Sequence, residues 1–169
     1  MNTFVKIAAI GAILGLAACA RPAQDMQVQD PYAGGAGAGG VGSSALPGTA
    51  EYFKANVGDT VLFAVDQSSL SPDARSVLAN QAGWLNQNQA FSAVVEGHAD
   101  EQGTREYNIA LGARRANSVQ EYLISQGVAP GRLRTVSYGK ERPLAVCSDE
   151  ECYSRNRRAV TVVSPGAGM

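Results

Sequence analysis

Two consecutive stretches of the sequence decide the fold: FSAVVEGHAD at residues 91–100 and TREYNIALGARRANSVQEYLISQG at residues 104–127. The first begins with the β-branched and aromatic residues typical of a strand over residues 91–96, and Gly97 ends that strand. The second repeats apolar residues at helical spacing, which predicts a long helix over residues 104–126 with Gly127 as its C-terminal stop. A strand followed by a long amphipathic helix is typical of a sheet covered by helices.

The same patterns predict the elements around these two stretches. Ser71-Pro72 is typical of an N-cap followed by proline at the first helical position. The further elements are a first strand, the helix that Pro72 opens and two late strands, over residues 60–65, 72–88, 132–138 and 157–163. The order βαβαββ predicts an α/β (α+β) fold, a two-layer sandwich whose helices pack on one mixed sheet.

Composition excludes several classes of function. The chain has 169 residues, and its 14 Lys+Arg stand against 15 Asp+Glu, for a formal net charge of -1. A nucleic-acid binder that relies on bulk electrostatics needs a basic excess, so no nucleic-acid partner is expected. One His and three Cys leave little material for a metal site or a His-based triad, and neither a metal nor another cofactor is predicted.

The amino terminus has the organisation of a secretory signal, with Lys6 in a short basic region before an apolar run over residues 7–18. That run is shorter than the ~20 apolar residues of a membrane-spanning helix. Its end, Leu-Ala-Ala-Cys19, resembles the lipobox of bacterial lipoproteins, in which the Cys is acylated and becomes the first mature residue. We expect a lipoprotein signal peptide over residues 1–18 and lipidation of Cys19. The alternative is a non-lipidated signal that contains Cys19. Ala20, rather than Asp, points by resemblance to the outer membrane.

Composition also divides the rest of the chain. Residues 19–50 contain seven glycines between Gly34 and Gly48 and few large apolar residues, so we expect a lipidated N-terminus and a flexible tether. The predicted domain spans residues 51–164, and residues 165–169 form a short C-terminal tail.

Two cysteines remain if Cys19 carries lipid. Cys147 and Cys152 are then an even pair in a chain directed to an oxidising periplasm, where a short disulfide loop can form. The alternative, a two-Cys metal site, lacks third and fourth ligands nearby in the sequence.

A helical projection of residues 104–126 predicts the surroundings of each side chain. The sheet-facing group is Ile109, Ala113, Ala116 and Leu123, and the solvent-facing group is Glu106, Arg114, Asn117 and Glu121. On a flank that borders the core lie Asn108, Leu111 and Arg115. Gly112 is expected to leave a notch beside Arg115. The alternative for Arg115 is a snorkelling side chain paired with a local carboxylate.

Asp66 and Asp100 each follow a predicted strand, and α/β folds place ligands where strands end and helices begin. We expect both carboxylates to converge with Arg115 in one groove. Such a groove suits a zwitterion, because carboxylates bind an ammonium and a guanidinium binds a carboxylate in bidentate fashion. A catalytic role for His98 is the less favoured alternative to a turn histidine that hydrogen-bonds its neighbours.

The segments VEGHADE (95–101) and YNIALGARRAN (107–117) resemble the peptidoglycan-binding domain of the OmpA-like superfamily. The segments VSYGKERP (136–143) and NRRAV (156–160) extend the resemblance over about residues 58–163. It implies non-catalytic binding of meso-diaminopimelate in the peptide stem, with its ammonium on Asp100 and its carboxylate on Arg115. Further positions that the resemblance places at this pocket are Asp66, Thr104, Asn108 and Leu111. Gln102 and Val65 depart from the Arg and the aromatic residue common in the family.

With the lipobox and tether, the resemblance implies a lipoprotein that links the outer membrane to the cell wall and faces the periplasm. It further implies membership of a Tol envelope complex, with TolB as a partner, acting in envelope integrity and cell division. One alternative is a wall-binding lipoprotein independent of TolB. Another is a cell-wall hydrolase that uses Asp66, Asp100 and His98, against which stands the lack of an activated nucleophile.

Overall fold

The computed structural model describes residues 46–166. The elements, in chain order, are α1 (Ala50–Tyr52) with a π-helical continuation (Phe53–Gly58), β1 (Thr60–Leu62), α2 (Pro72–Gln87), β2 (Phe91–His98), α3 (Arg105–Ser125), a 3₁₀ turn (Pro130–Arg132), β3 (Leu133–Gly139), α4 (Glu150–Asn156) and β4 (Arg158–Pro165). The predicted signal peptide, Cys19, most of the predicted tether and the last three residues lie outside the described residues. No helix within residues 46–166 has both the length and the apolar character required to cross a bilayer.

The four strands form one mixed sheet in the order β1-β4-β2-β3. β2 pairs antiparallel with β4 and parallel with β3, so that Glu96 lies opposite Val160 on one side and Val136 on the other. α3 connects β2 to β3, and both α2 and α3 pack against the sheet. The predicted fold class, a mixed sheet with packed helices, is confirmed.

The core lies between the two long helices and the sheet. Its fully buried side chains include Leu78, Leu85, Val95, Val119 and Leu123. Each contributes roughly 1.5–3 kcal/mol relative to an exposed side chain. At one end of the core, the ring of Trp84 lies 4.9 Å from that of Phe53 and 5.0 Å from that of Phe91.

Local capping explains where the helices begin. The side chain of Ser71 accepts a hydrogen bond from the Ala74 amide at 3.1 Å, and Pro72 follows at the first helical position. Thr104 caps α3 by accepting from the Tyr107 amide at 3.2 Å. Gly127 adopts a φ of 92° just after α3, a conformation that glycine tolerates best.

The structure corrects the predicted surroundings of α3. Asn108, Leu111 and Arg115 are fully buried rather than on a flank, whereas Ile109 and Ala113 are only half-buried. The projection assigned only apolar residues to the sheet-facing side. The polar side chains are nevertheless buried, because they form hydrogen bonds with the backbone. There is also no notch at Gly112, because a Cβ there would lie 2.8 Å from the Gly97 oxygen and 2.4 Å from Ser137 Oγ. The helix and strand backbones fill this space.

Two further differences concern short elements. β1 ends at Leu62, before the predicted limit, and β2 continues to His98. The predicted loop around the cysteines contains α4, whose first turn is capped by the Asp149 side chain. A seven-residue helix shows too little periodicity for its pattern to predict it.

Candidate functional site

A cavity of about 210 Å³ lies where β1 and β2 end and α3 begins. Its lining residues are Val65, Asp66, Asp100, Gln102, Gly103, Tyr107, Asn108 and Leu111. Among the residues predicted for the site, the structure therefore brings Asp66, Asp100, Asn108 and Leu111 to one cavity. Thr104 and Arg115 are not in its lining. A larger groove of about 580 Å³ beside Trp84 has no charged side chain in its lining.

Asp66 holds its carboxylate at the rim of the cavity through an unusual backbone. Its φ of 56° lies in the left-handed region, which Asp tolerates better than most residues. The hydroxyl of Tyr107, from the first turn of α3, donates a hydrogen bond to Asp66 Oδ1. This contact raises the pKa of Tyr107, so the phenol stays protonated as a donor. The sequence analysis did not identify Tyr107 as part of the site.

Asp100 is 6% exposed and forms an ion pair that the sequence did not predict. Its Oδ2 lies 3.1 Å from the guanidinium Nη1 of Arg157, a residue that is itself buried between the end of α4 and the start of β4. Arg157 also binds Glu150, the first residue of α4. The expected convergence of Asp100 with Arg115 in one groove is corrected, because Arg115 is buried and is not in the cavity lining; the guanidinium beside Asp100 is that of Arg157.

Arg115 lies behind the cavity wall, with a relative exposure of 0%. It donates hydrogen bonds to the carbonyl oxygens of Gln67 at 2.8 Å, His98 at 2.8 Å and Ala64 at 3.2 Å. Burial lowers its pKa to about 10, and the nearby carboxylates of Asp100 and Asp66 oppose that shift. Arg115 thus stays charged at neutral pH. It joins the loop after β1 to the end of β2, and the snorkelling alternative is wrong.

Asn108 supplies an acceptor without a partner. Its Nδ2 donates to the Gln102 carbonyl at 2.8 Å, which shapes the loop beside the cavity. Its Oδ1 is buried and accepts no hydrogen bond from any described residue. An unpaired buried acceptor costs about 1–3 kcal/mol, so Asn108 Oδ1 is a polar atom that the described residues leave unsatisfied beside the cavity.

Two predicted site residues remain, Leu111 within α3 and Thr104 at its N-cap. Leu111 is 4% exposed and forms the apolar part of the cavity wall beside Val65. Thr104 is exposed at the N-cap of α3, where its hydroxyl is occupied by the helix backbone. Its predicted place in the pocket is corrected to the start of the helix that carries the pocket residues.

His98 does not face the cavity. It is 2% exposed, and neither ring nitrogen has a hydrogen-bond partner among the described residues, so the predicted hydrogen-bonded turn histidine is wrong. Burial, followed by the positive charges of Arg158 and Arg142, lowers its pKa to about 4. His98 is therefore neutral at physiological pH, and its position gives no support to an acid–base role at the cavity.

Cys147 and Cys152 are joined in a disulfide, with their Cα atoms 5.7 Å apart. The carboxylate of Asp149 lies beside them, but sulfurs in a disulfide are not available as thiolate ligands. Arg114, the exposed neighbour of Arg115, lies over the Tyr107 ring at 6.0 Å, in agreement with its predicted solvent-facing position.

Comparisons with known proteins agree with this fold. The OmpA family model matches residues 62–157. The peptidoglycan-associated lipoprotein of Mesorhizobium japonicum is 53% identical over 95% of this chain and 91% of its own length. The chain belongs to the peptidoglycan-associated lipoproteins of the OmpA family. The corresponding protein of Haemophilus influenzae is 40% identical over 95% of this chain and 98% of its own length.

Solved structures with the same architecture include one peptidoglycan-associated lipoprotein and one MotB domain. The crystal structure of the peptidoglycan-associated lipoprotein from Burkholderia pseudomallei matches with a TM-score of 0.65 and 32% identity, over 69% of this chain and all 100% of that one. The C-terminal domain of Helicobacter pylori MotB matches with a TM-score of 0.60 and 25% identity, over 64% of this chain and 86% of that one. The predicted resemblance to the OmpA-like superfamily is confirmed. Membership in this family of structural lipoproteins also confirms that the chain is not an enzyme.

Proposed function

We propose that this chain is an outer-membrane lipoprotein that binds peptidoglycan non-covalently, through the meso-diaminopimelate of the peptide stem. The observation that carries the proposal is the cavity lined by the carboxylates of Asp66 and Asp100. Two carboxylates at one small space suit an ammonium group, which has three N–H donors and no acceptor. The relatives' name, peptidoglycan-associated lipoprotein, supports the same ligand.

The rest of diaminopimelate fits the other features of the site. Its aliphatic chain would lie against Val65 and Leu111 in the cavity wall. Its carboxylate would be attracted by the buried charge of Arg115. Arg115 lies behind the cavity wall and all three of its nitrogens donate to backbone carbonyls, so its charge would act on the carboxylate without direct contact. A lysine-type stem lacks this carboxylate and would gain nothing from Arg115.

The remaining parts of the proposal rest on the resemblance and on the lipobox. Lipid on Cys19 would hold the chain in the outer membrane, with the domain in the periplasm and residues 19–50 as the tether to the wall. We further propose that it acts with TolB and other Tol proteins in envelope integrity and cell division. A wall-binding lipoprotein that does not bind TolB is the second candidate.

Sedimentation with isolated diaminopimelate-type peptidoglycan tests the proposed site. Asp100→Asn should lower the bound fraction to the level expected for at least tenfold weaker binding, because it removes the buried charge from the cavity. Asp73→Asn removes a carboxylate from the exposed first turn of α2, away from the cavity, and should bind as the unmodified chain does. Equal sedimentation of both variants would contradict the site, and release of soluble wall fragments would contradict a non-catalytic function.

A further inference from the structure

A carboxylate on the surface, that of Glu150, is connected to the cavity residue Asp100 through one guanidinium, that of Arg157. Arg157 is 4% exposed and donates from Nη1 both to Asp100 Oδ2 at 3.1 Å and to Glu150 Oε2 at 3.3 Å. Its Nη2 forms a second contact with the Glu150 carboxylate. Arg157 therefore lies between a buried carboxylate that lines the cavity and an exposed one on α4.

The segment that carries Glu150 is fixed at several points. The disulfide between Cys147 and Cys152 encloses Glu150, and the amide of Cys152 donates to the capping side chain of Asp149 at 3.2 Å. At the end of α4, buried Asn156 donates to Glu101 Oε1 at 2.7 Å. Glu101 is the neighbour of Asp100. The position of Glu150 is thus tied to the loop that carries the cavity carboxylate.

This arrangement determines which carboxylate oxygen of Asp100 remains free to bind a ligand. The Nε of Arg157 donates to the Phe63 carbonyl at 3.3 Å, and its Nη2 is turned towards Glu150. Only Oδ2 of Asp100 is used, and Oδ1 accepts no hydrogen bond from the described residues. Without Glu150, the freed N–H groups of Arg157 could pair with both oxygens of Asp100, because a guanidinium binds a carboxylate in bidentate fashion.

The charges lead to the same conclusion. Asp100, Arg157 and Glu150 together carry a net charge of about -1, whereas Asp100 and Arg157 alone would be neutral. The contact with Arg157 lowers the pKa of Glu150 and raises that of Arg157, so both stay ionised at neutral pH. A cationic group would be attracted to the triad more strongly than to the neutral pair.

We propose that Glu150 is a positioning residue for this cavity: it holds Arg157 so that Asp100 keeps one oxygen and a negative charge for a cationic ligand group. The inference rests on the proposed function, since the ligand group would be the ammonium of diaminopimelate. Glu150 itself lies on the surface, with 66% of its side chain exposed, and is not in the cavity lining.

Titration of the full chain with a soluble diaminopimelate-containing stem peptide tests this role. Glu150→Gln should weaken binding about three- to tenfold, the range expected for one charge-assisted contact. Glu150→Asp keeps the charge and should recover at least half of the lost binding free energy. The matched control is Glu151→Gln, which makes the same charge change at the next exposed position. The Glu151 carboxylate forms no ion pair with a described residue, so this variant should bind within twofold of the unmodified chain.

Asp100→Asn, titrated in parallel, separates this inference from the proposed function. If Asp100→Asn loses binding while Glu150→Gln binds as the unmodified chain does, the role of Glu150 is wrong and the site stands. If Glu150→Gln and Glu151→Gln weaken binding equally, the effect is one of overall charge, which also overturns the role. If Asp100→Asn binds normally, the proposed function fails together with the inference.

Discussion

Replacing Arg115 by lysine should destabilise the domain even though the positive charge is kept. The guanidinium donates to three carbonyls, two in the loop after β1 and one at the end of β2, and the longest of these links joins it to Ala64, 51 residues earlier in the chain. A lysine ammonium is a compact group at the end of a flexible stem and lacks the planar fork that reaches all three acceptors. At least one buried carbonyl would then lack its partner.

The expected size follows from the number of hydrogen bonds that lysine cannot form. A hydrogen bond to a charged group contributes about 1.5–3 kcal/mol, so the absence of one or two of the three predicts a destabilisation of about 1.5–6 kcal/mol. This is a large share of the roughly 5–15 kcal/mol that holds a domain folded. The same reasoning makes Arg115→Ala a poor test of ligand binding, because it would disturb both loops that carry the carboxylates.

Urea denaturation followed by circular dichroism measures this difference. Arg114→Lys is the matched control, since Arg114 is the exposed neighbour on the same helix, and its free energy of unfolding should change by less than about 0.5 kcal/mol. A change below about 1 kcal/mol for Arg115→Lys would refute the view that Arg115 joins the loop after β1 to the end of β2.

Three further predictions concern other positions. The pKa of His98 is about 4 in the folded chain and about 6.5 when unfolded, so protons bind the unfolded state more readily, and the free energy of unfolding should fall by about 1.6 kcal/mol between pH 6.5 and 5. His98→Asn should lack this loss in urea titrations, and an equal loss in that variant would contradict the prediction. Gly112→Ala should lower the unfolding free energy by about 1–3 kcal/mol because its Cβ would lie 2.4 Å from Ser137 Oγ. Gly83→Ala, with open space around its Cβ, should be neutral or stabilising, and a stabilised Gly112→Ala would refute the close approach. Cys19→Ala should move the protein from the membrane to the soluble periplasmic fraction, and persistent membrane association would count against lipidation.

The long elements could be predicted because their signals are local. Ser71-Pro72 and Gly127 mark helix ends through their own backbone preferences, and the apolar spacing of α2 needs no knowledge of distant residues. The resemblance also placed Asp66 and Asp100 at one site. This prediction was possible because Asp66 and Asp100 follow β1 and β2, and both strands end at the same side of the domain.

What could not be predicted depends on contacts between distant parts of the chain. The burial of Arg115 follows from carbonyls 17, 48 and 51 residues earlier in the sequence, which a helical projection does not contain. Arg157 pairs with Asp100 across 57 residues, because β4 inserts between β1 and β2. The sequence shows two adjacent arginines before a strand, with nothing to indicate which one enters the site.

The most direct test of the proposed site is a calorimetric titration of the purified chain with two stem peptides that differ only at the third residue. The account predicts that the meso-diaminopimelate stem binds at least about tenfold more tightly than the lysine stem, a difference of about 1.4 kcal/mol or more. In Asp100→Asn, any loss of the preference for the diaminopimelate stem should be accompanied by a loss of binding to both stems. Equal affinity of the unmodified chain for the two stems would contradict recognition of diaminopimelate at this cavity.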